Sequence, residues 1–582
     1  MDKMKTILKR FNCAHVLTLL MISFSAAAQY GIEITTGGSI TLISTATIEI
    51  ANGGLINNGT YTKGSETVTF SGTTAKTISG TSNTSMHNLS VTNTGGITSQ
   101  VGLLTTNDLT IAAGCAFKVD YAKAVTVSGT LTNTPGTSGL VVKSDATGTG
   151  SLIHSTASVN GTFERYINNA DWTNWYDGWH FLSSPVASHA ISPNFVTDPF
   201  DIYCWYEPAN TWVNYKNTTT APTWNTANGS TNFNLGKGYL VEYDEASTKS
   251  FAGVLNVSDV SVTGLTITGT SQANRSWHLL GNPFGSAITW DASTAWGFVN
   301  IAGVAKIWNE VNQSYSDLTS SPATVIPATN GFMVQVSTGT GSLTIPEDKR
   351  THSAQPFFKS ATSAIKLTAY NIDAGNAQES MVSFNPLATE GFDLMYDGEY
   401  LPGYGPEFHS AAGNVNLSTN NLPELTTSTT IPFAFKPNTG TAFRIKAEGT
   451  ESISLTTWML DKQTNTDHNL SLEPTFQFTA SAADPAERFL LHFGGAYGIP
   501  QQTDQPEFAL YAIDNSIFIK NLSGHSHTGF VTIYNTIGQV VYEKNITDQT
   551  TVIQPGIPSG FYIVTLVANK RVYSIKVLMN LW

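Results

Sequence analysis

The stretch GSITLISTATIEIANGGLINNGTYT, from Gly38 to Thr62, sets the pattern for the first quarter of the chain. Ile, Leu and Tyr recur between Thr, Ser and Glu, which predicts short strands with one buried and one exposed face. The Gly-Gly and Asn-Asn-Gly steps between the strands are typical of tight turns. Similar phrases return in ETVTFSGTTAKTISG (Glu66–Gly80) and KAVTVSGTLTNTPG (Lys123–Gly136), and helix signals are absent.

Closely spaced short strands of this kind predict a stacked β-solenoid over residues 29–160. Each rung would bury its apolar side chains against the next, with polar ladders facing outward. A β-sandwich is the alternative fold for this segment. The segment from Tyr30 to about Ile153 resembles the Gly/Asn/Thr-rich β-helical regions of bacterial surface adhesins.

Charge and length narrow the classes of protein to consider. The chain has 582 residues, only 12% of them charged, and a net charge of −13. A typical share of charged residues is about 25%, so the predicted surface is one of hydroxyls and amides. An acidic chain without basic patches is a poor ligand for nucleic acid or anionic lipid, and we expect neither as a partner.

Residues 1–28 are predicted to be an export signal. Basic residues up to Arg10 precede the apolar stretch Ala14–Ala28, whose last alanines fit an A-x-A cleavage site. The alternative, an uncleaved membrane anchor, fits this short run less well. No later run of about 18 apolar residues occurs, so no transmembrane span is expected in the mature chain.

Two long units follow the predicted solenoid and match along their length. GWHFLSSPV begins at Gly178 and SWHLLGNPF begins at Ser276, and the Trp-His pairs of the two phrases are 98 residues apart. An aromatic hairpin and a Gly-aromatic strand follow each phrase, so we predict duplicated β-modules at 161–265 and 266–353. Their pattern resembles modules of large secreted proteins from Bacteroidetes-type bacteria.

Residues 354–494 are predicted to form a β-sandwich, because strand-like runs alternate with turns such as Pro-Asn-Thr-Gly. The phrases ATEGFD (Ala388–Asp393) and ERFLLHFG (Glu487–Gly494) resemble the domain that precedes the sorting signal in the same secreted proteins. Residues 495–507 contain Gly, Pro and Gln with little apolar content, which predicts a flexible linker.

The segment 508–582 has alternating apolar residues that, by themselves, predict a small Ig-like sandwich. The phrases IYNTIGQVV, SGFYIVTL and KRVYSIKVLM resemble, in order, the type A C-terminal sorting domain of the type IX secretion system. One departure is the final NLW, which follows the usual basic tail. The residues that carry this sorting motif are Ile533, Tyr534, Asn535, Gly538, Gln539, Gly560, Tyr562 and Lys576.

The resemblance implies a route and a set of partners. The protein would be exported by Sec, fold in the periplasm and cross the outer membrane through the type IX translocon, assisted by its shuttle and attachment proteins. The destination would be the cell surface or the medium. Surface lipopolysaccharide or an extracellular glycan are further candidate partners.

Catalytic and metal-binding motifs are absent from the sequence. No G-x-S-x-G, H-E-x-x-H, C-x-x-C or phosphate-binding glycine loop occurs. His180 and His278 follow the repeated tryptophans, and strand histidines without chemistry are the preferred interpretation. We therefore predict no catalytic residue, no metal ligand and no cofactor, with a structural calcium ion as an open alternative for a secreted β-protein.

Aromatic clusters are the candidate ligand contacts. Trp172, Trp175 and Tyr176 could stack on a sugar, although packing at the entry of the first module is the preferred interpretation. The same two interpretations apply to Trp205, Trp212, Trp308 and Tyr315. The sequence therefore predicts an all-β, non-catalytic, adhesin-like or matrix-interacting protein. The alternative is a glycan-binding or glycan-cleaving protein of the β-helical lyase type.

Overall fold

The computed structural model describes residues 16–19, 25–28, 31–43, 45–170, 177–197, 199–268, 276–320, 323–353, 364–495, 508–513, 515–522, 528–568 and 571–579. Within them the chain is built almost entirely of β-strands, which confirms the predicted all-β class. It divides into two compact units, Met1–Ala496 and Tyr497–Trp582. Each unit has a hydrophobic core of its own.

The first unit begins with a parallel β-solenoid that has three faces. Successive strands of the chain belong to the first, second and third face in turn. The predicted solenoid is therefore confirmed. Two successive sheets form the first face: β1 (Val16–Leu19), β4 (Ser39–Leu42) and β7 (Thr60–Thr62), then β10 (Thr84–Ser85), β13 (Leu103–Thr106), β16 (Ala124–Val127) and β21 (Ser151–His154). The second face is β2 (Ser25–Ala28), β5 (Thr47–Ile50), β8 (Thr67–Phe70), β11 (Asn88–Val91), β14 (Asp108–Ile111) and β17 (Leu131–Asn133). The third face is β3 (Ile32–Ile34), β6 (Leu55–Asn57), β9 (Lys76–Ser79), β12 (Ile97–Ser99), β15 (Phe117–Val119), β18 (Leu140–Val142) and β22 (Asn160–Ile167). A hairpin of β19 (Ser144–Asp145) and β20 (Gly148–Thr149) projects after β18.

Apolar side chains stack from rung to rung inside the solenoid. On the second face the parallel register places Val68 beside Leu89, Leu89 beside Leu109, and Leu109 beside Leu131, all buried. Successive partners on this face are 20 to 22 residues apart, so the two-residue alternation recurs at the same position in each rung. β1 and β2 lie within the predicted signal peptide, and their backbones pair with β4 and β5.

Part of the polar ladder is inside the solenoid, which differs from the expected outward placement. Asn57 and Asn93 are fully buried at corners between faces. The Asn93 amide donates to the carbonyls of Ser71 and Thr74, both at 2.9 Å, and its oxygen accepts the Gly95 N–H at 2.7 Å. A buried corner leaves backbone groups without water, and these amides supply the missing partners.

The two duplicated modules contain sheets with the same strand order, as their repeated phrases predict. The first module has β23 (His180–Ser183), β24 (His189–Ala190), β25 (Phe200–Tyr206), β26 (Thr211–Asn214), helix α1 (Trp224–Asn228), β27 (Asn232–Phe233), β28 (Gly238–Tyr243) and β29 (Ser247–Val254). The second has β30 (Val260–Leu265), β31 (Trp277–Gly281), β32 (Ala287–Trp290), β33 (Ala305–Asn309), β34 (Ser314–Leu318), β35 (Thr324–Ile326), β36 (Gly331–Gln335), β37 (Gly341–Ile345) and β38 (Arg350–Thr351). The order β23-β28-β25-β26 corresponds, element by element, to β31-β36-β33-β34.

The two modules are joined to their neighbours by strand pairing and by close backbone contact. β29 pairs antiparallel with β22 and so extends the third face of the solenoid. β30, at the end of the segment predicted as the first module, pairs with β37 of the second. A Cβ on Gly238 would lie 2.3 Å from the carbonyl oxygen of Leu280, so only glycine permits the approach of the two sheets there.

The segment predicted as a β-sandwich is one eleven-stranded sheet that curls around a core rich in phenylalanine. The rings of His468 and Phe476, on strands at the two ends of the sheet, stack with centroids 3.8 Å apart. The curled sheet is therefore nearly closed. Its strands are β39 (Ala364–Asn371), β40 (Ala377–Phe384), β41 (Gly398–Glu399), β42 (Glu407–Ala412), β43 (Val415–Leu422), β44 (Thr430–Lys436), β45 (Ala442–Glu448), β46 (Thr457–Asp461), β47 (Thr466–Asn469), β48 (Thr475–Thr479) and β49 (Phe489–Phe493).

The second unit is a small two-sheet sandwich, the architecture predicted for the C-terminal segment. One sheet has the order β50 (Phe508–Ile513), β51 (Ser516–Asn521), β54 (Thr550–Ile553). The other has the order β53 (Val540–Ile546), β52 (Gly529–Asn535), β55 (Gly560–Ala568), β56 (Arg571–Met579).

Candidate functional site

An aromatic cleft lies where the sheets of the two modules face each other. Side chains along β25 point alternately to the two faces of the sheet. Ile202 and Cys204 lie in the core shared with the solenoid, whereas Trp205 lies on the opposite face. On β33, Ile307 likewise points into the core of its own module and Trp308 points away from it. In each module, the sheet face that points away from the core therefore carries aromatic side chains. These two aromatic faces are in contact with each other.

The cleft has a volume of about 130 Å³ and draws on three parts of the fold. Five residues come from the first module, three from the second and four from a loop of the curled-sheet region. The lining residues are Trp179, Phe181, Trp205, Trp212, Leu240, Trp308, Tyr315, Met333, Leu401, Pro402, Gly403 and Tyr404.

The duplication supplies the same pair of rings from each module. In both hairpins the two aromatic residues are directly opposite each other across the strands, Trp205 with Trp212 and Trp308 with Tyr315. Their ring centroids are 5.1 Å and 5.2 Å apart, in edge-to-face contact. Phe181 lies between the pairs, 6.4 Å from Trp212 and 6.1 Å from Tyr315. One ring of each pair is buried and the other is partly open to solvent.

The buried rings fix the positions of the open ones. The indole N–H of Trp205 donates to the carbonyl oxygen of Trp277 at 2.7 Å, which satisfies a polar group that water cannot reach. Trp212 packs on the ring of Trp205, and Tyr404 packs on that of Trp308 at 5.6 Å. The accessible rings of the cleft are thus preorganised for a flat ligand face.

Carboxylates lie beside the aromatic rings on the sheet of the first module. Asp201 on β25 is directly opposite Glu242 on β28. Burial, followed by the charges of Asp201 and Asp177, raises the pKa of Glu242 to about 7. The Asn214 amide donates to Asp201 at 2.7 Å. Glu242 is 4% exposed and neither carboxyl lines the cleft, so this pair adjoins the aromatic rings without entering the cleft.

The raised pKa of Glu242 predicts a pH dependence of stability. In the unfolded chain this carboxyl ionises near its ordinary value of about 4.3, whereas in the folded chain it keeps its proton up to about pH 7. The folded state binds more protons between these values, so this residue lowers stability progressively as the pH rises from about 4.5 to about 7. Glu242→Gln should flatten that dependence in urea unfolding followed by tryptophan fluorescence. An exposed control, Glu245→Gln, should follow the wild type; equal slopes for wild type and Glu242→Gln would contradict the assignment.

The structure brings four of the candidate aromatic residues into one site and separates the repeated histidines. Trp205, Trp212, Trp308 and Tyr315 all line the cleft, where the sequence left packing and ligand contact open. The residues Trp172, Trp175 and Tyr176 lie outside the described residues. The Leu401–Tyr404 segment carries no sequence signal that links it to the modules.

The two Trp-His phrases have different environments despite their common origin. Trp277 is buried, whereas Trp179 is half-buried and lines the cleft. Nε2 of His278 is hydrogen-bonded to the carbonyl oxygen of Thr266 at 2.8 Å. His180 is buried, and its Nδ1 is hydrogen-bonded to the Glu310 carboxylate.

Two loops with acidic residues, around Asp373 and Asp397, offer oxygen atoms of the kind that bind calcium, but these carboxylates accept backbone N–H groups. Asp373 accepts the N–H of Thr441 at 2.9 Å, and Asp397 accepts the N–H groups of Asp393 and Asn421, both at 2.7 Å. Among the described residues no group of three or more His, Cys, Asp or Glu side chains is placed to hold a metal ion. No helix in the described part of the chain is both long and apolar enough to span a membrane.

The residues of the predicted sorting motif lie in one sheet of the second unit. Asn535 ends β52, and its side-chain oxygen accepts the N–H groups of Ile537 and Gln539 at 3.2 and 2.9 Å. Gly538 completes this turn with φ of 80°, a conformation that favours glycine. Ile533 and Tyr534 are on β52, Gly560 and Tyr562 on β55, and Lys576 on β56.

The outward side of that sheet carries several exposed apolar side chains, which we call the apolar face. Phe561 is paired with Leu578 and Val567 with Val572, and these four side chains are 44% to 66% exposed. Ile563, between them on β55, is 48% exposed. Thr565, Ser574 and Lys576 lie among these side chains on the same face. Exposed apolar groups on one sheet face are typical of a surface that contacts another protein.

A family model described as "Domain of unknown function (DUF8693)" matches residues 58–322 and 310–493. Together these matches span about three quarters of the 582 residues and include the whole aromatic cleft. No curated protein matches the chain.

Proposed function

This chain belongs to the DUF8693 family of domains of unknown function, and we propose that it is a non-catalytic, adhesin-like protein whose aromatic cleft contacts extracellular carbohydrate. The family description states no activity, so the proposal rests on the cleft. The observation that carries it is the meeting of two duplicated aromatic hairpins, each with one open ring.

The ring arrangement suits the apolar face of a sugar. Trp212, Tyr315, Tyr404 and Trp179 are partly exposed and are held by neighbouring rings, so little side-chain freedom is lost on binding. The cleft volume of about 130 Å³ is below the ~300–1,000 Å³ of typical small-molecule sites. It fits one edge of a polymer or a terminal sugar unit, which is the kind of contact an adhesin makes.

The lining supports binding without turnover. Among the described residues that line the cleft there is no Ser, Cys, His, Lys, Asp or Glu. Burial raises the pKa of Tyr315, so its hydroxyl stays protonated and is unsuited to act as a base. A glycosidase needs two carboxyl groups flanking the scissile bond, and these rings do not provide them.

We further propose that the protein is exported by Sec and then by the type IX secretion system to the cell surface or the medium. The predicted signal at residues 1–28 and the sorting-domain resemblance at 508–582 support this route. A separately compact C-terminal unit with an exposed apolar sheet face suits recognition by a translocon. No cofactor is part of the proposal.

A binding experiment with Trp212→Ala tests the carbohydrate proposal. Loss of an exposed aromatic contact at the centre of a site weakens binding by about tenfold or more, which corresponds to ~1.4 kcal/mol. The full chain is first screened on a glycan array, and affinities for its hits are then measured by calorimetry. Trp458→Ala is the matched control, because Trp458 is also half-buried but lies on β46, away from the cleft.

The outcomes are distinct. We expect Trp212→Ala to lose affinity and Trp458→Ala to keep it. Equal affinities in both variants, or no array signal with the wild type, would overturn carbohydrate contact at the cleft. Release of new reducing ends from a bound glycan would overturn the non-catalytic assignment and favour the glycan-cleaving alternative.

A further inference from the structure

A buried lysine and a buried aspartate side chain are in direct contact in the second module. Lys306 on β33 and Asp317 on β34 are opposite each other in the hairpin, and their side chains are 0% and 4% exposed. Nζ of Lys306 donates to Oδ1 of Asp317 at 2.5 Å. The hairpin therefore holds a primary amine, which is a potential nucleophile, against a carboxyl group.

Two hydroxyl groups of the curled sheet complete this cluster. Ser418 and Thr419, on β43, are 3% and 0% exposed. Oγ of Ser418 accepts a hydrogen bond from Nζ of Lys306 at 2.7 Å and donates to Oδ2 of Asp317 at 2.6 Å. Oγ1 of Thr419 donates to the same carboxylate oxygen at 2.7 Å. Ser418 thus bridges the amine and the carboxyl group and can pass a proton from one to the other.

The cluster is shielded from water. The indole ring of Trp277, which is 2% exposed, has its centroid 5.4 Å from Nζ of Lys306. A buried ion pair is costly because both charges lose their hydration. Transfer of one proton from the ammonium to the carboxylate removes both charges and leaves a neutral amine in contact with a carboxylic acid. An amide formed from these two groups would stay uncharged, and exclusion of water would oppose its hydrolysis.

We propose that Lys306 and Asp317 condense to an intramolecular isopeptide bond, with Ser418 as the catalytic proton relay. Nζ gives one proton to Oγ of Ser418, which passes its own proton to Oδ2 of Asp317. The lone pair of the neutral Nζ then forms a bond to Cγ. A second proton follows the same relay, the Cγ–Oδ2 bond breaks, and Oδ2 leaves as water. Oδ1 remains as the amide oxygen, Nζ keeps one hydrogen, and no oxidant, reductant or co-reactant takes part.

Other close ion pairs of the chain lack this combination of groups. Arg488 presents a guanidinium to Asp461, and this group stays protonated and is not a nucleophile. Nζ of Lys349 and Oδ2 of Asp291 are only 2.7 Å apart, but both side chains are 22% exposed to water. Among the described residues, the pair in the β33–β34 hairpin is the one lysine–carboxylate pair with both side chains less than 5% exposed.

The bond would join the two strands that carry Trp308 and Tyr315, two rings of the aromatic cleft. A covalent link between β33 and β34 would keep these rings in place when the hairpin is heated or pulled. The proposal concerns a modification of the chain itself, so it goes beyond carbohydrate binding and does not depend on it.

Tryptic mapping of the denatured full chain tests whether the bond exists. Trypsin does not cleave after a lysine whose Nζ is part of an amide. The wild type should therefore give a peptide that is uncleaved after Lys306 and lighter than its sequence by one water molecule. Fragmentation should locate the link between Lys306 and Asp317. Lys349 is the internal control, because trypsin should cleave after it in the same digest.

Variants test the two chemical roles. Lys306→Arg keeps the positive charge but lacks the amine, so its peptides should show no loss of water. Ser418→Ala removes the relay and should slow bond formation about a hundredfold or more, measured as the linked fraction at intervals after synthesis. Ser383→Ala is the matched control, since Ser383 is a buried serine of the same curled sheet whose Oγ donates to Asn421. It should form the bond at the rate of the wild type.

The outcomes are decisive for this bond. Complete cleavage after Lys306 in the wild type, with both peptides at the mass of their sequence, would overturn the isopeptide bond without recourse to any variant. Equal rates in Ser418→Ala and Ser383→Ala would overturn the role of Ser418 as relay. Linkage of Lys349 to the same extent as Lys306 would overturn the argument from burial. These measurements need no glycan, so they are separate from the test of the cleft with Trp212→Ala.

Discussion

A chain that ends before Phe508 is expected to remain in the periplasm, whereas the full-length protein reaches the cell surface. The deletion removes β50 to β56 and with them every residue of the predicted sorting motif. These strands enclose a hydrophobic core of their own, and residues 497–582 form a separate compact unit, so the first unit keeps its own cores. Protease shaving of intact cells, with fractionation of periplasm and outer membrane, measures the shift in a host that has the type IX system.

Point variants separate recognition from folding. Phe561→Ser and Ile563→Ser together remove two exposed apolar side chains from the outward sheet face, where little burial is lost. They should reduce surface display strongly. Val552→Ser is the matched control, since Val552 is 45% exposed but lies on β54 of the other sheet. Normal display of the truncated chain would show that the sorting assignment is wrong. Equal loss of display in the double variant and in Val552→Ser would show that the apolar face is not the surface recognised.

The strands were predictable because their side-chain alternation is local. The phrase around β8 shows the two-residue period directly, and the structure buries Val68 and Phe70 as the period requires. The 98-residue offset of the repeated phrases also predicted a common strand order, which the two module sheets confirm. Such signals depend only on residues close together in sequence or on comparison of the chain with itself.

The sites depend on contacts between residues far apart in sequence, and no local pattern reveals these. His180 and Glu310 are separated by 130 positions in the sequence, yet they are hydrogen-bonded to each other and both line one pocket. The sequence predicted no chemical role for this histidine. The aromatic cleft likewise requires the Leu401–Tyr404 loop, which has no aromatic repeat of its own. The hairpin tryptophans were recognised as candidates, but only packing shows that one ring of each pair is buried and one is open.

Removal of the buried Arg488–Asp461 ion pair is expected to destabilise the curled sheet more than any surface change. Both side chains are almost fully buried, 3% and 2% exposed. Nε and Nη2 of Arg488 donate to the two carboxylate oxygens at 2.9 and 2.7 Å, and Nη1 donates to the carbonyl oxygen of Thr479 at 2.7 Å. The guanidinium also packs over the ring of Phe478 at 4.7 Å.

Arg488→Met should lower the free energy of unfolding by about 3–5 kcal/mol, because it leaves the Asp461 carboxylate buried without its partner. The double variant Arg488→Met/Asp461→Leu removes both charges and should regain much of that loss, since apolar replacement of a whole buried pair is often neutral. Urea unfolding followed by tryptophan fluorescence measures both, and Trp458, on the same strand as Asp461, is one of the reporters. Lys436→Met is the control, because Lys436 is 58% exposed and its ion pair with Glu407 should contribute less than about 1 kcal/mol. If the double variant were less stable than Arg488→Met, the hydrogen bonds of the pair, and not the unpaired charge, would dominate its contribution. Arg488 belongs to the phrase ERFLLHFG and directly precedes β49. Its hydrogen bonds to Asp461 on β46 and Thr479 on β48 therefore join these strands where the curled sheet closes.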